Sequence, residues 1–414
     1  MVEGIKVLHC ADLHLGSELT GAPGSAAQRK QELLGTFRRI TNICRDEGVD
    51  LLLIAGDMFE GANVDDATVQ SVKEYLKNMG STVAAIAPGN HDYVSIDSPF
   101  AGNNWPENVI IFRSDLAKVE FPERGFAVCG AGFTCTYQRE SLLEDAGGLM
   151  LDSSLINICV LHGDLGPNGA ISDYNLVTEA QLAASGFSYV ALGHIHKRTA
   201  ILRTGPCSYS YPGCPDGRGF DELGEKGVYI GTVSKNTARL EFRPVCSRMF
   251  LSEAIDISGL NSEGEIVRLV LAELQTRYGS DFGRHYYKLQ LTGSIDETFV
   301  LPLATIREVL SESLYFVKIA DHTHIEVDYE ELAKESSLRG IFVRKMLERI
   351  AAADRAEHAG RRSQLPIVAL DTSGPAADNS ERDGVRQITE TDKLKRALEL
   401  GIMSFDGEVK LDEY

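Results

Sequence analysis

Short apolar runs alternate with longer amphipathic segments through the first part of the chain. Apolar runs at 5–10, 50–55 and 82–86 have the length of buried strands. The segments between them, 28–48 and 68–79, carry apolar residues at helical spacing. This β-α-β-α-β order predicts an α/β fold with a layered sheet, whose parallel strands are joined by right-handed crossovers.

Further periodic runs continue to the end of the chain. The pattern predicts a helix at 178–185 and strands at 109–112, 117–121, 125–131, 156–161, 189–192, 227–232 and 237–244. From residue 250 it predicts a small α+β domain, with strands at 250–257, 286–291 and 315–327 and helices at 263–278 and 303–312. Helices are expected at 330–353 and 390–400, and the aperiodic Gly-, Pro-, Ser- and Asn-containing segment 354–383 is typical of a linker. The chain therefore divides into a first domain at 1–248, an α+β domain at 249–328 and a helical tail with a polar linker at 329–414.

Residues of metal-ligand type follow five of the predicted strands. Because parallel strands bring their carboxyl ends to one edge of a sheet, we expect these side chains to share a site. The set holds two carboxylates, one amide and four imidazoles: Asp12, His14, Asp57, Asn90, His162, His194 and His196. Singly, Asp57 is explained as a helix cap and His162 as a core histidine, but convergence of the whole set is not what packing requires.

The size and chemistry of this set indicate a dinuclear metal centre. Seven ligands exceed the needs of one ion but suit two divalent ions bridged by a carboxylate. Such ions lie about 3.5–4 Å apart and hold a phosphate and a hydroxide for in-line attack. Imidazole combined with carboxylate favours manganese, iron or zinc over magnesium.

The charge and the cysteines restrict the function classes. The formal net charge of −19 excludes nucleic-acid binding through a diffuse basic surface, so a phosphate substrate needs a local basic lining, a metal or a partner's charge. None of the eight cysteines forms a Cys-x-x-Cys pair, which leaves a zinc ribbon or thioredoxin-type site unsupported. The sequence shows no signal peptide and no long apolar span, and a cytoplasmic protein without membrane association is expected.

Motif order carries a family resemblance. The motifs are Asp12-Leu13-His14, Gly56-Asp57, Gly89-Asn90-His91-Asp92, His162-Gly163 and Gly193-His194-Ile195-His196. This series resembles that of calcineurin-like metallophosphoesterases. The segment 211–218 and the α+β domain resemble the SbcD-type DNA repair exonuclease branch, in which that domain is a capping domain. The resemblance implies a layered metallophosphoesterase β-sandwich flanked by helices.

The resemblance also implies a role for each motif residue. One metal would be held by Asp12, His14 and His196. The other would be held by Asn90, His162 and His194, and Asp57 would bridge the two.

Outside the ligand set, His91 would be the non-ligand histidine that protonates the leaving oxygen, because imidazole can donate a proton near neutral pH. Arg218 would contact phosphate, although a solvated loop arginine explains it equally well. Glu60 departs from the family pattern, since some members have a histidine there, and an acidic residue offers phosphate no positive charge. The departure puts processive exonuclease activity in doubt.

Together these features predict a dinuclear-metal phosphodiesterase, most simply a DNA exonuclease or endonuclease subunit in DNA repair. Manganese is the expected metal, with iron, zinc and magnesium as alternatives. A phosphoesterase for a small substrate, such as a cyclic nucleotide or phosphomonoester, is the first alternative, and the acidity favours it. The capping domain and tail favour a polymer. A scaffold with a vestigial site is a third option, but the complete ligand set argues against it.

The resemblance further implies a partner, an SbcC-type coiled-coil ATPase docked on the C-terminal helices, and a homodimer is another option. The helix at 390–400 has one apolar face. That face either docks on a partner or folds back on its own chain.

Overall fold

In the computed structural model, the residues described are 3–17, 26–61, 64–102, 104–144, 148–296, 298–325, 327–362 and 389–405. The chain forms two compact units. Unit 1 comprises residues 1–293 and 300–323, and unit 2 comprises residues 294–299 and 324–414. The predicted division at residue 248 falls inside unit 1 and stays a prediction.

Two six-stranded sheets form the larger part of unit 1. The first has the order β12-β11-β1-β2-β3-β4, from strands β1 (Ile5–Cys10), β2 (Leu51–Ile54), β3 (Val83–Ile86), β4 (Val109–Ile111), β11 (Gly227–Val233) and β12 (Ala238–Pro244). The second has the order β5-β6-β7-β8-β10-β9, from strands β5 (Ala117–Phe121), β6 (Phe126–Gly130), β7 (Ile156–His162), β8 (Tyr189–Gly193), β9 (Leu202–Thr204) and β10 (Cys207–Ser210). Strands β1 to β4 pair in parallel, as do β6, β7, β8 and β10. Strands β11 and β12 close the first sheet with antiparallel pairing.

The two sheets pack face to face and helices cover their outer faces. Buried residues of both sheets form one apolar cluster, including Val7, Leu53, Ala85, Val128, Ile158 and Val160. Helices α1 (Ala26–Asp46) and α2 (Asp66–Lys77) cover the first sheet, and α3 (Glu179–Ala184) covers the second. On α1 the buried Leu33, Phe37 and Ile40 follow helical spacing. These layers confirm the predicted α/β sandwich flanked by helices.

A separate three-stranded sheet follows along the chain. It consists of β13 (Phe250–Asp256), β14 (Tyr286–Ile295) and β15 (Phe316–Ile325), with helices α4 (Glu263–Tyr278) and α5 (Leu303–Ser313) in the connections. The elements match the predicted α+β pattern. Strands β9 and β10 are absent from the prediction, because short strands with no apolar alternation leave little trace in a sequence.

The predicted single helix at 330–353 is two helices in the structure, and the predicted start of the linker at residue 354 is wrong. The structure has two helices, α6 (Tyr329–Leu332) and α7 (Leu338–Arg362), and the break occurs where the Ser337 hydroxyl accepts a hydrogen bond from the Gly340 amide, 3.0 Å, as a helix cap. Helix α7 continues into the predicted linker because residues 351–362 are rich in Ala and Arg, which are strong helix formers. The rest of the predicted linker, 363–383, lies outside the described residues.

The last helix, α8 (Glu390–Phe405), folds back on its own chain. Leu398 and Ile402 of α8 are buried in one cluster with Val343 and Met346 of α7. The apolar face of α8 is therefore covered within unit 2, which removes the argument that this face needs a partner. None of the helices within the described ranges is long and apolar enough to cross a membrane.

Candidate metal centre

The predicted ligands lie at or just beyond the carboxyl ends of five strands, β1, β2, β3, β7 and β8. The chain turns sharply at several of them. Five described non-glycine residues have positive φ, and four of those are predicted ligands: Asp12 (53°), His14 (44°), Asp57 (48°) and His194 (105°). Such backbone is strained for residues with a Cβ and clusters at functional sites, so this edge of the sandwich has the character of a built site.

Glycines let the two sheets approach closely at this edge. A Cβ at Gly193 would lie 1.6 Å from the carbonyl oxygen of Ala55, and one at Gly56 would lie 2.1 Å from Nδ1 of His162. Any larger residue at either position would push the ends of β2, β7 and β8 apart. Gly56 of the Gly-Asp motif and Gly193 of the Gly-His motif are therefore needed for the predicted ligands to converge.

Asp92 fastens the loop that carries Asn90 and His91. Its buried carboxylate accepts backbone hydrogen bonds from Gly89 at 2.7 Å and Met58 at 2.7 Å, as well as one from Phe59. Burial raises the pKa of this carboxyl to about 7. The loop after β3 is thus tied to the loop after β2, which carries Asp57.

A first ligand cluster contains Asp12, His14 and His196, with one ligand atom from each within 4.8 Å of the others. Nε2 of His14 lies 3.3 Å from Nε2 of His196. Their other ring nitrogens face carboxylates. Nδ1 of His196 donates to Oε1 of Glu222 at 2.6 Å, and Nδ1 of His14 lies 2.6 Å from Oε2 of Glu60, off the axis of a well-aligned hydrogen bond. With both Nδ1 atoms protonated, two Nε2 lone pairs face each other, and a cation fits between them.

A second cluster forms around His162. Its Nδ1 donates to the carbonyl oxygen of Ala55 at 2.9 Å, so its Nε2 carries the lone pair. That nitrogen lies 2.9 Å from Oδ1 of Asn90 and 3.4 Å from Oδ2 of Asp57. Burial lowers the pKa of His162 to about 4, which keeps the ring neutral. Three acceptors without a hydrogen among them are again what a divalent cation requires.

Asp57 reaches both clusters. Its Oδ2 lies 3.8 Å from Nε2 of His14 and 3.4 Å from Nε2 of His162. Its Oδ1 accepts the backbone amide of His91 at 3.0 Å. Burial, followed by the nearby Asp57 carboxylate, raises the pKa of Asp12 well above its usual range. Two repelling buried carboxylates are expected where bound cations compensate their charge.

His194 lies beside the second cluster but outside its closest contacts. Its ring centroid is 5.1 Å from that of His162, and its backbone amide donates to Oδ1 of Asp12 at 3.0 Å. Nε2 lies 3.5 Å from Oδ1 of Asp164, which leaves Nδ1 as the nitrogen available to a metal.

His91 is held at the rim of the site. Its Nδ1 lies 3.2 Å from Oε1 of Glu60, and its ring meets that of His14 edge to face at 4.8 Å. The Glu60 carboxylate raises the pKa of His91. The side chain is 42% exposed, so it can reach a bound substrate. This placement is compatible with the predicted proton donor.

Arg218 lies at the first cluster rather than on a solvated loop. Its guanidinium is 3.4 Å from Oε2 of Glu60 and from Oε1 of Glu222, and 3.0 Å from Nδ1 of His196. Both carboxylates already take up its charge. Contact of Arg218 with phosphate therefore stays a prediction.

Sequence reasoning missed two residues that organise the site, Glu60 and Glu222. The sequence presents Glu60 only as an unfavourable charge, yet its carboxylate contacts His14, His91 and Arg218. Its pKa is held well below the usual range, with the two histidines opposing the effect of burial. Glu222 accepts from His196, and its pKa is lowered to about 2 because hydrogen bonds and charges outweigh burial. The position of Glu60, three residues after Asp57, was the only available signal.

Comparison with known proteins also indicates a metallophosphoesterase. The sequence profile of the calcineurin-like phosphoesterases matches residues 5–198. The uncharacterized metallophosphoesterase YhaO of Bacillus subtilis is 30% identical over 281 residues, which cover 65% of this chain and 67% of YhaO.

Two relatives whose names describe a DNA repair protein and a nuclease are also similar to this chain. The DNA double-strand break repair protein Mre11 of Saccharolobus solfataricus is 27% identical over 248 residues, 56% of this chain and 61% of Mre11. The SbcD component of the nuclease SbcCD of Bacillus subtilis is 25% identical over 257 residues, 53% of this chain and 64% of SbcD. The chain thus spans less than two thirds of the length of these two relatives.

Proposed function

The chain belongs to the calcineurin-like phosphoesterase family, and from this membership we propose that it is a metal-dependent phosphodiesterase that cleaves DNA. One observation carries the proposal. Two groups of metal-ligand type share Asp57, and a further histidine, His91, stands half-exposed beside them. A phosphodiester needs both features, because its attacking group must be activated and its leaving sugar oxygen must be protonated.

The family and the donor clusters imply divalent metals, and we propose manganese. Asp12, His14 and His196 would hold one ion, and Asn90, His162 and His194 the other, with Asp57 between them. The mixture of imidazole, carboxylate and amide suits manganese better than the all-oxygen ligands that magnesium prefers. When bound, two such ions act as Lewis acids and supply a hydroxide at neutral pH.

The chain's own residues provide orientation and the proton. Glu60 fixes His91 through Nδ1, so that Nε2 is the nitrogen presented to the leaving oxygen. Asp57 accepts the backbone amide of His91 and thereby holds the ring at a constant distance from the metal ligands. Arg218, whose guanidinium lies 3.4 Å from Glu60, would contact a phosphate oxygen of the substrate.

DNA as the substrate is supported by the similarity to Mre11 and to SbcD of the nuclease SbcCD. The test is to incubate the manganese-loaded full chain with end-labelled single- and double-stranded DNA, alongside a chromogenic phosphodiester. We expect cleavage of DNA and of the diester, and loss of both with EDTA. Cleavage of the diester without any cleavage of DNA would contradict the proposal.

A phosphoesterase for a small substrate is the second candidate, and the net charge of −19 favours it. A chain with that charge repels a polyanion, whereas binding to DNA gains from releasing counterions against Lys and Arg. The same assay, extended to cyclic nucleotides and phosphomonoesters, separates the two candidates by the ratio of their kcat/KM values.

We further propose that unit 2 docks on a coiled-coil ATPase of the SbcC type. The similarity to SbcD, one component of the nuclease SbcCD, supports a multi-subunit enzyme. Because the apolar face of α8 is covered, a docking surface in unit 2 would use outward residues such as Leu338, Ile341 and Phe405, which are 71%, 45% and 45% exposed.

The docking test uses substitutions rather than truncation, because removing α8 would uncover Val343 and Met346 of α7. Leu338→Asp combined with Ile341→Asp should abolish co-purification with the ATPase and leave cleavage of a small phosphodiester intact. Met150→Asp, at an 88% exposed position in unit 1, is the control. Undiminished co-purification of the double variant would place the docking surface elsewhere.

A further inference from the structure

Two tyrosine rings extend from the candidate metal centre toward solvent. The ring centroid of Tyr174 lies 4.7 Å from that of His194, with 36° between the ring planes. Tyr137 follows, 6.0 Å from Tyr174 at 40°. Tyr174 is half-buried and Tyr137 is 55% exposed, so neither ring is enclosed by the core. The imidazole and the two phenol rings form a row of tilted ring contacts that starts at the predicted ligand His194.

The loop carrying Tyr174 is fixed to the end of β7. Asn175 is fully buried, with φ at 43°, and its amide donates to the carbonyl oxygen of His162 at 2.7 Å. Its Oδ1 accepts from the backbone amide of Leu142, also at 2.7 Å. A Cβ at Gly163 would lie 2.3 Å from the carbonyl oxygen of Asn175, so the two segments are in close contact. Tyr174 is therefore held in place relative to the ligand His162.

The loop carrying Tyr137 is tied to the same segment. The backbone amide of Gln138 donates to the carbonyl oxygen of Asp173 at 2.7 Å, and the amide of Asn175 donates back to Gln138. The Arg139 side chain pairs with Asp173 at 2.8 Å. Both tyrosines are thus presented on a pre-organised pair of loops, which lowers the entropic cost of binding a flat ligand.

We propose that Tyr174 and Tyr137 form a stacking site for nucleobases next to the scissile phosphate, so that the preferred substrate is a single strand or a frayed end. This inference rests on the proposed phosphodiesterase function and adds its substrate class. Every base has a π-face, and exposed tyrosines bind unpaired bases by stacking whatever their sequence. Bases inside a duplex already stack on each other and cannot reach such rings. Stacking also supplies affinity to a chain whose net charge of −19 opposes the approach of a polyanion.

The test compares two strands that differ only in their bases. A fluorescein-labelled oligothymidine and a strand of equal length with abasic tetrahydrofuran residues carry the same phosphate charge. Both have phosphorothioate linkages, which slow cleavage during the measurement. Fluorescence anisotropy with the manganese-loaded full chain gives the two Kd values, and their ratio isolates the contribution of the bases.

We expect the wild type to bind the oligothymidine about tenfold more tightly than the abasic strand, a typical effect of one stacked base. Tyr137→Ala and Tyr174→Ala should each bring the ratio toward one, whereas Tyr137→Phe and Tyr174→Phe should keep it. Ile171→Ala is the matched control, because Ile171 is 97% exposed on the same loop as Tyr174 but has no ring. It should leave the ratio unchanged.

Two results would overturn the stacking site: a wild-type ratio near one, or a wild-type preference that persists in both alanine variants. Tyr137 is exposed, so its alanine variant remains informative if Tyr174→Ala fails to fold. Cleavage of unmodified DNA, measured in parallel, reports separately on the proposed function. Base-dependent binding without DNA cleavage would contradict the nuclease and retain the stacking site for a nucleotide ester.

Discussion

Glu60→Gln is the sharpest perturbation of the site, because one carboxylate contacts two histidines of different predicted roles. Oε2 lies 2.6 Å from Nδ1 of His14, and Oε1 lies 3.2 Å from Nδ1 of His91. Glutamine keeps the shape of the side chain but removes the charge. It also replaces one acceptor oxygen with an amide group that can only donate. At least one imidazole N–H then faces another donor and loses its orientation.

The expected size of the effect follows from these contacts. Removing an outer partner of a metal-ligating histidine typically lowers metal affinity or activity by about 10–100-fold. Losing a general acid outright lowers the rate by about 10²–10⁴-fold. Because His91 itself remains in Glu60→Gln, we expect kcat on DNA to fall by about 10–100-fold, equal to about 1.4–2.7 kcal/mol of transition-state stabilisation.

The assay measures kcat and KM on DNA and on a diester with a low-pKa phenol leaving group, together with bound manganese. At saturating manganese the loss should be larger on DNA, because only the sugar oxygen needs a proton from His91. Glu222→Gln is the matched control, since Glu222 shares the contact with Arg218 but faces His196 in place of His14 and His91. This control variant should bind manganese more weakly and lose turnover of both substrates to the same extent. Wild-type turnover of DNA by Glu60→Gln at full occupancy would refute the reasoning.

Three further outcomes are expected. Asp57→Ala should lose both metals, as read by elemental analysis after manganese loading, and full occupancy would show that Asp57 is not the bridge. His91→Ala should keep its metal but lose about 10²–10⁴-fold in turnover of DNA, whereas unchanged turnover of DNA would remove His91 from the proton-donor role. The third concerns stability: burial lowers the pKa of His9 to about 3, against 6.5 in the unfolded chain, so between these values only the unfolded state takes up the proton. Its contribution is complete above pH 6.5 and declines as the pH falls, by about 2 kcal/mol at pH 5. Urea unfolding in EDTA should show that the free energy of unfolding falls between pH 6.5 and pH 5 in the wild type, and falls less in His9→Gln. Equal falls in the two proteins would contradict this role of His9.

The placement of the predicted ligands at one edge could be anticipated because each of them is local to a strand end. An apolar run followed by Asp, Asn or His marks both the strand and the edge where it terminates, as for Asp57 and His162. Parallel pairing brings the ends of β1, β2 and β3 together in the first sheet, and those of β7 and β8 together in the second. The face-to-face packing of the two sheets then joins the two groups at one edge. The helical spacing of apolar residues, which is also a local feature, predicted the helices α1, α2 and α4 to within a few residues.

The contacts around the ligands could not be predicted because they join segments far apart in sequence. Glu60 meets Arg218, and Glu222 meets His196, through loops whose course depends on the packing of both sheets. The sequence alone therefore reveals only the charge of Glu60. The folding back of α8 on α7 was likewise open, since an apolar helix face does not reveal which surface covers it.

Anomalous diffraction from crystals of the manganese-loaded protein would test the dinuclear centre most directly. We predict two peaks at the manganese edge, about 3.5–4 Å apart. One should lie among Asp12, His14 and His196 and the other beside Asn90 and His162, with the Asp57 carboxylate between them. A single peak, or peaks that Asp57 does not touch, would contradict the bridged metal pair on which the proposed phosphodiester cleavage depends.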